Sequence, residues 1–313
     1  MNPENKRILA IDIEESTPSW RHLLIKAKLI YYFFQRHLFN LWLKVRLWDE
    51  MPPELRKLWF LNREGGMFRE KTYRMCDRRH ALKGSSILVP GAGFGHCIFQ
   101  LAAFRPRKIT AFDVYEYSKE WDFVAQTCKD RFGVEVVFEK GGFETVESEG
   151  RFDWIISDAV LEHIKDMDGF LKSSNRHLKD DGWFYASFGP IWYGPGGDHV
   201  DWGGEMTRWD HLICEQRLYE ERFEKKGLGA AAGTLEGDFL FHGRLFSYLR
   251  AEEYFEKFKE AGFFMDLGIA KVNWFARRIL KNDPDLSKKL DERNVPKFDR
   301  FINGFLVWMR KSK

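Results

Sequence analysis

The chain reads Ile87-Leu88-Val89-Pro90-Gly91-Ala92-Gly93-Phe94-Gly95 at the point where a predicted strand gives way to a predicted helix. The apolar run 86–89 predicts the strand, and the apolar segment 97–104 predicts the helix. Glycines at such a junction let the backbone approach a ligand closely, and the helix N-terminus presents free N–H groups. The stretch therefore predicts a ligand-binding loop.

Strands and helices alternate on both sides of this loop. Within residues 84–188 the pattern predicts strands at 86–89, 108–112, 134–138, 152–157 and 182–188, and helices at 97–104, 115–132 and 167–178. This alternation is typical of βαβ units and of a mainly parallel sheet.

The rest of the chain predicts additions to this core. We expect helices at 70–82 and 251–261, strands at 263–272 and 305–309, and a surface helix or loop at 284–296. The predicted fold is α/β and Rossmann-like, a doubly wound, mostly parallel sheet of seven strands. Its parts are an N-terminal helical extension (1–82), the ligand-binding core (83–188), a substrate-side insertion (189–250) and a C-terminal part that completes the sheet (251–313).

Composition excludes some classes of function. The net charge of +3 is too mild to indicate a nucleic-acid partner, which would require a clustered basic face, so we expect none. The four cysteines are scattered, which argues against a disulfide framework or a zinc site and favours a reducing compartment. Residues 1–16 lack the layout of a signal peptide, so we expect a cytoplasmic protein.

Residues 21–48 are rich in Leu, Phe, Tyr and Trp, but lysines and arginines interrupt them. No uncharged run approaches the ~18 residues that a membrane-spanning helix needs. The segment predicts a helix that packs on the main domain, or one that makes a peripheral contact with a membrane surface.

An acid follows the second predicted strand. Asp113 lies 22 residues after Gly91, where a carboxylate can accept both ribose hydroxyls of an adenosine, although it could also cap the next helix. Ribose binding does not distinguish between cofactors, but the glycine spacing does. A dinucleotide site would place its third glycine at the position of His96.

A third block carries a family resemblance. Residues 152–158 read Phe-Asp-Trp-Ile-Ile-Ser-Asp, 160–163 read Val-Leu-Glu-His, and 176–182 read Arg-His-Leu-Lys-Asp-Asp-Gly. With the glycine loop and Asp113, this block resembles class I S-adenosylmethionine (SAM) dependent methyltransferases of the small-molecule type over about residues 84–188. The resemblance implies SAM as the cofactor.

The resemblance also implies which residues contact SAM. The glycine loop would pass beneath its methionine and ribose parts, Asp113 would hold the ribose and Val114 would pack on adenine. Gly142 and Phe143 would border the adenine, and Asp158 would lie near the methionine end. The full set is Gly91, Ala92, Gly93, Phe94, Gly95, Asp113, Val114, Gly142, Phe143 and Asp158. Val89 stands where the family usually has an acid, which puts the contact to the SAM amino group in doubt.

The substrate side is rich in glycine, tryptophan and histidine. An oxygen nucleophile must lose its proton, or have its pKa lowered by a metal, and histidine can serve as the base. The candidates are His199, His163 and His211, each of which could instead be structural. Glu162 and His163 with His199 or Asp201 could also bind a divalent metal. We expect no metal site.

These observations predict SAM-dependent methyl transfer to a small molecule or a glycan or lipid precursor, at oxygen. One alternative is an NAD-dependent oxidoreductase, against which His96 argues. Another is a noncatalytic module with this fold, supported only by Val89. Methylation of macromolecules is disfavoured because strand four is followed by Ser157-Asp158-Ala159-Val160 rather than by an N/D-P-P-Y/F motif. The acceptor and the oligomeric state stay open.

Overall fold

The computed structural model describes residues 8–9, 65–146, 152–199, 208–225 and 246–312. The predicted helix within 21–48, Asp201 and parts of the extension and the insertion lie outside these ranges. Among the helices within them, none is both long and apolar enough to cross a bilayer.

The chain divides into two units. The glycine-loop unit comprises Ile11–Glu147 and Phe152–Trp154, and the C-terminal unit comprises Met1–Ala10, Ser148–Arg151 and Ile155–Lys313. The predicted class, a mostly parallel Rossmann-like α/β fold, is confirmed.

The glycine-loop unit alternates strands and helices as predicted. Its elements are α1 (Gly65–Arg79), β2 (Ser86–Pro90), α2 (His96–Ala102), β3 (Lys108–Asp113), α3 (Ser118–Phe132) and β4 (Glu135–Lys140), with β1 (Ile8–Leu9) preceding them in the other unit. The strand order is β5-β2-β3-β4, where β5 (Phe152–Asp158) contributes its first three residues. β2, β3 and β4 are parallel, with Val89 opposite Ala111 and Ala111 opposite Phe138.

Burial explains the local sequence of this unit. All five residues of β2 are buried, which is why residues 87–90 form a continuous apolar run rather than an alternating pattern. Residues 97–102 of α2 are buried as well. α3 begins at Ser118 rather than at the predicted position 115, because the Tyr115 N–H donates to the Asp113 carboxylate and turns the chain before the helix.

The C-terminal unit holds the other strands, in the order β1-β7-β8-β6-β5. Its further elements are α4 (Met167–His177), β6 (Leu178–Phe188), α5 (Asp210–Ile213), α6 (Gln216–Lys225), α7 (Ala251–Glu260), β7 (Phe263–Val272), α8 (Trp274–Asn282), α9 (Pro284–Glu292) and β8 (Ile302–Lys311). β8 is antiparallel to both β6 and β7, whereas β1 is parallel to β7. The segment predicted as a surface helix or loop is α9, whose first turn is capped by Asp283.

Aromatic side chains form much of the core of this unit. Phe188 on β6 lies 4.7 Å from Tyr254 on α7 and 5.6 Å from Phe305 on β8, measured between ring centroids. Three buried rings from three elements thus meet at the end of β6, where the substrate-side insertion begins.

The backbone at that point is closely packed. Gly189 has φ +119°, and a Cβ there would collide with the Asn303 carbonyl oxygen. A Cβ at Gly304 would collide with the Phe188 carbonyl oxygen. Both positions therefore require glycine, and they hold the start of the insertion against β8.

The pH dependence of stability provides a first prediction. Burial raises the pKa of Asp299 to about 6, although its carboxylate accepts a hydrogen bond from the Ala251 N–H at 3.1 Å. Between about pH 4 and pH 6 the unfolded chain therefore ionises this group more readily than the folded chain does, and stability falls as pH rises. We expect Asp299→Asn to remove about 1–2 kcal/mol of this decline, measured by urea unfolding.

Asp291→Asn is the matched control. The Arg300 guanidinium, 2.7 Å away, lowers the pKa of Asp291, so its contribution is lost only as pH falls below about 4. This variant should keep the decline between pH 4 and pH 6. Equal slopes for Asp299→Asn and the unaltered protein would contradict the prediction.

Candidate functional site

The glycine loop adopts backbone conformations that favour glycine. Gly91, Gly93 and Gly95 have φ values of 67°, 52° and 82°. A Cβ on Gly95 would lie 2.9 Å from the Phe138 ring, while one on Gly93 would meet no described residue within 4 Å. The first glycine turns the chain, the last packs against the sheet, and the middle one leaves open space that a ligand can use.

Asp113 orients this loop. Its Oδ2 accepts a hydrogen bond from the Gly93 N–H at 2.8 Å, and its Oδ1 accepts one from the Tyr115 N–H at 3.0 Å. A carboxylate offers about four acceptor positions, so each oxygen can accept one more hydrogen. The neighbouring Val114 is 64% exposed, which gives an adenine ring an apolar surface beside the acid. The geometry of this unit therefore fits an adenosine.

Trp121 holds the opposite side of the same peptide. Its indole Nε1 donates to the Gly93 carbonyl oxygen at 2.7 Å, and its ring stacks on Phe138 with 5.1 Å between centroids and 6° between planes. Gly93 is thus held through its N–H by Asp113 and through its carbonyl by Trp121. Sequence reasoning missed Trp121, since a tryptophan within α3 carries no signal beyond helix packing.

We expect Trp121→Phe to weaken SAM binding about three- to tenfold. The substitution removes one hydrogen bond, whose net value is about 0.5–1.5 kcal/mol, while a ring remains to stack on Phe138. Titration calorimetry with SAM measures the effect, and the melting temperature measures any loss of packing. Trp154→Phe is the control, because it removes an indole hydrogen bond to the His80 carbonyl away from the loop. Equal losses of SAM affinity in the two variants would contradict a role specific to the loop.

The other predicted cofactor residues of this unit lie in turns after strands. Phe94 contacts Tyr117, with 4.2 Å between ring centroids, and Phe143 lies edge-on to Phe112 at 5.1 Å. The Gly142 N–H donates to the Glu144 carboxylate at 2.8 Å. Ala92 is buried, and its N–H donates to the Phe112 carbonyl. The contacts of Ala92, Phe94 and Phe143 tie the loop after β2 and the turn after β4 to residues at or just past the end of β3.

In the C-terminal unit, Asp158 ends β5 and accepts a hydrogen bond from the Tyr185 hydroxyl at 3.3 Å. The following residue, Ala159, has φ 57°, and its N–H donates to the Ser187 carbonyl. The chain turns sharply here and leads directly into Leu161–His163, one turn of 3₁₀ helix.

Glu162 in this turn is a buried acid, with 1% of its surface exposed. One carboxylate oxygen, Oε1, accepts a hydrogen bond from the Gly189 N–H at 2.8 Å. The other, Oε2, is buried and has no hydrogen-bond partner within the described part of the chain. Burial raises the pKa of this carboxyl to about 7.

His163 and His199 lie edge-to-face beside Glu162, with 78° between their ring planes. Their ring centroids lie 5.0 Å apart, and both rings contact Phe246, at 5.3 Å and 5.1 Å. The His199 Nε2 lies 2.9 Å from the Pro190 carbonyl oxygen. Because a carbonyl only accepts, Nε2 carries the hydrogen, and burial lowers the pKa of the ring and so favours its neutral form. The lone pair is therefore on Nδ1.

Glu162, His163 and His199 form a group of potential metal ligands, which we call the Glu–His–His cluster. Each side chain offers one ligand atom, and the three atoms lie within 4.8 Å of one another. The sequence led us to expect no metal site. The structure nevertheless brings two imidazoles and a carboxylate together.

His211, the third predicted histidine, is not part of this cluster. Its Nε2 lies 2.8 Å from the Trp192 carbonyl oxygen, its ring is 5.0 Å from the Trp192 ring, and burial lowers its pKa. Nearby in sequence, the Tyr219 hydroxyl donates to the buried Asp198 carboxylate at 2.7 Å. These contacts join the two described parts of the insertion, 189–199 and 208–225.

Comparison with known proteins identifies the family. The model of the methyltransferase-domain family matches residues 67–265, which is more than half of the chain. Among curated proteins, (S)-coclaurine N-methyltransferase from Papaver somniferum is 28% identical over 111 residues. That match covers 35% of this chain and about a third of the length of the poppy enzyme, 31%.

Solved structures show a weaker likeness. A putative sarcosine dimethylglycine methyltransferase from Galdieria sulphuraria is 13% identical, with a TM-score of 0.47 over 78% of this chain and 85% of that one. The 1,6-didemethyltoxoflavin-N1-methyltransferase from Burkholderia thailandensis is 16% identical, with a TM-score of 0.46 over 88% and 90%. These values are too low to carry a functional comparison.

Proposed function

Since the chain belongs to the methyltransferase-domain family and is a SAM-dependent methyltransferase, we propose that it methylates an oxygen atom of a small-molecule acceptor, or of a glycan or lipid precursor. The observation that supports this proposal is the edge-to-face pair of histidines, His163 and His199, beside the buried Glu162. Membership of the methyltransferase-domain family rules out the alternative interpretation, an NAD-dependent oxidoreductase.

On the cofactor side, the glycine loop and Asp113 would hold SAM. Asp113 would accept the ribose hydroxyls with the acceptor positions that Gly93 and Tyr115 leave open, and Val114 would cover one face of the adenine. Gly142, Phe143 and Asp158 remain predicted contacts. SAM supplies a methyl group bonded to a positively charged sulfur.

On the acceptor side, we assign the base to His199. With SAM bound, the acceptor oxygen would form a bond to the methyl carbon while the carbon–sulfur bond broke and its electron pair stayed on sulfur. The acceptor's proton passes to the Nδ1 of His199. The Pro190 carbonyl supports this role because its contact with Nε2 fixes the ring and the tautomer. General acid–base catalysis of this kind contributes about 10²–10⁴-fold to a rate.

A nitrogen acceptor is the second candidate. The name of the poppy relative states that it methylates nitrogen, over a match of 111 residues. A neutral amine already has a free lone pair and needs no base before it attacks. The histidines favour oxygen, because a hydroxyl is the nucleophile that needs its proton removed.

The experiment compares matched acceptors. Labelled methyl transfer from SAM is measured to phenols and to anilines of the same ring substitution, and to aliphatic alcohols and amines of the same chain length. We expect product from the hydroxyl member of a pair. Transfer to the amine member alone would overturn the proposal for oxygen and leave SAM-dependent methyl transfer intact.

Three further expectations remain proposals. They are the domain boundaries at 82, 188 and 250, the cytoplasmic location, and the peripheral membrane contact through residues 21–48. The last of these lies outside the described residues.

A further inference from the structure

We propose that the Glu–His–His cluster is a binding site for a transition-metal cation of the Zn²⁺ type, and that the bound ion inhibits methyl transfer. The inhibition rests on the proposed role of His199 as base, whereas the binding site does not. The site would act as a regulatory point at which metal and acceptor compete.

The donor set selects the class of cation. Two imidazole nitrogens and one carboxylate oxygen are a common ligand set for Zn²⁺, which leaves a fourth position for water. Imidazole suits Zn²⁺, Cu²⁺, Fe²⁺ and Ni²⁺, whereas Mg²⁺ and Ca²⁺ prefer oxygen ligands throughout. Glu162, His163 and His199 therefore favour a transition metal over Mg²⁺.

The carboxylate gives an independent indication. Glu162 is 1% exposed, and its Oε2 is buried without a hydrogen-bond partner among the described residues. A buried oxygen of this kind costs free energy unless it is paired. A cation within reach of Glu162 and the two imidazoles would provide the missing partner.

The ligands are also held in place by contacts outside the cluster. The Gly189 N–H fixes Oε1 of Glu162, and the Ser247 N–H donates to the Glu162 carbonyl at 2.8 Å. The Pro190 carbonyl accepts the Nε2 hydrogen of His199. A histidine that ligates a metal usually donates its other ring hydrogen to such a group, which fixes the tautomer and the ring orientation.

Inhibition follows because the metal ion and the acceptor's proton need the same lone pair of His199. His199 has one lone pair, on Nδ1, because Nε2 carries the hydrogen donated to Pro190. The proposed base needs this pair to accept a proton, and a metal needs it to form a bond. An ion bound to the cluster therefore leaves His199 unable to act as base.

Metal binding is tested on the full chain without an activity assay. The protein is freed of metal with a chelator and titrated with Zn²⁺ by calorimetry in the presence of excess Mg²⁺. We expect one Zn²⁺ per chain, and a visible absorption band when Co²⁺ is used instead. Glu162→Gln and His199→Gln should each weaken Zn²⁺ binding at least tenfold, while the control His80→Gln, outside the cluster, should not. SAM binding by each variant checks that the chain is folded.

The outcomes separate the two proposals. Zn²⁺ affinity that is equal in the cluster variants and the control would overturn the metal site and leave the proposed base untouched. Zn²⁺ binding accompanied by reversible loss of methyl transfer would support the inference. If the chelator abolishes methyl transfer and Zn²⁺ restores it, the inhibition is overturned, together with the assignment of His199 as base.

Discussion

Replacing Asp113 with alanine is expected to weaken SAM binding by roughly tenfold or more. The carboxylate would make charge-assisted hydrogen bonds to the ribose, each of which contributes about 1.5–3 kcal/mol. The same substitution releases the Gly93 and Tyr115 N–H groups, so the loop loses its orientation as well. Calorimetric titration with SAM and with S-adenosylhomocysteine measures the loss.

Two further variants test whether the loss of SAM affinity is specific to the Asp113 carboxylate. Asp130→Ala removes an acid on α3 that accepts a hydrogen bond from Gln126 on the exposed face, and it should leave SAM affinity unchanged. Asp113→Asn keeps an acceptor for one N–H but loses the charge, so its effect should fall between the other two. An unchanged SAM affinity in Asp113→Ala would remove this residue from the proposed ribose site.

His199→Ala is expected to lower the turnover number at least about a hundredfold while SAM affinity stays unchanged. The reason is that the variant loses the group that accepts the acceptor's proton, and such a group contributes about 10²–10⁴-fold. Turnover is measured with saturating SAM and with the hydroxyl acceptor that gives product when the matched phenols, anilines, alcohols and amines are compared.

Comparing His199→Ala with His211→Ala distinguishes the two histidines as candidates for the base. His211 is hydrogen-bonded to the Trp192 carbonyl and lies outside the Glu–His–His cluster. Its loss should therefore affect stability more than turnover. Partial recovery of His199→Ala by added imidazole would support a base over a packing role. Normal turnover in His199→Ala would eliminate this residue as the base.

The fold was largely predictable because its signals are local. Residues 87–90 of the buried strand β2 form a continuous apolar run, and the glycines after it take the left-handed conformations that their residue type allows. Where the predicted start of a helix was imprecise, a side-chain hydrogen bond changed the backbone path that the local pattern predicted. The Asp113 carboxylate accepts a hydrogen bond from the Tyr115 N–H, and α3 therefore begins only at Ser118.

The contacts of the candidate site were less predictable because they join distant parts of the chain. Glu162 binds the Gly189 N–H across 27 residues, and Trp121 binds the Gly93 carbonyl across 28. Neither contact follows from periodicity. The residue types did suggest His163 and His199 as candidates, but only the turn at 161–163 and the chain reversal after β6 bring their rings to 5.0 Å.

The paired glycines at the end of β6 have a consequence for protein engineering. The backbones at Gly189 and Gly304 leave no room for a Cβ on either side, so the first residue of the insertion and β8 constrain each other. A chimaera that exchanges residues 189–250 for those of another methyltransferase, in order to change its specificity, would have to begin with glycine at position 189 and keep Gly304 in β8. Otherwise the new segment would not seat on the strand.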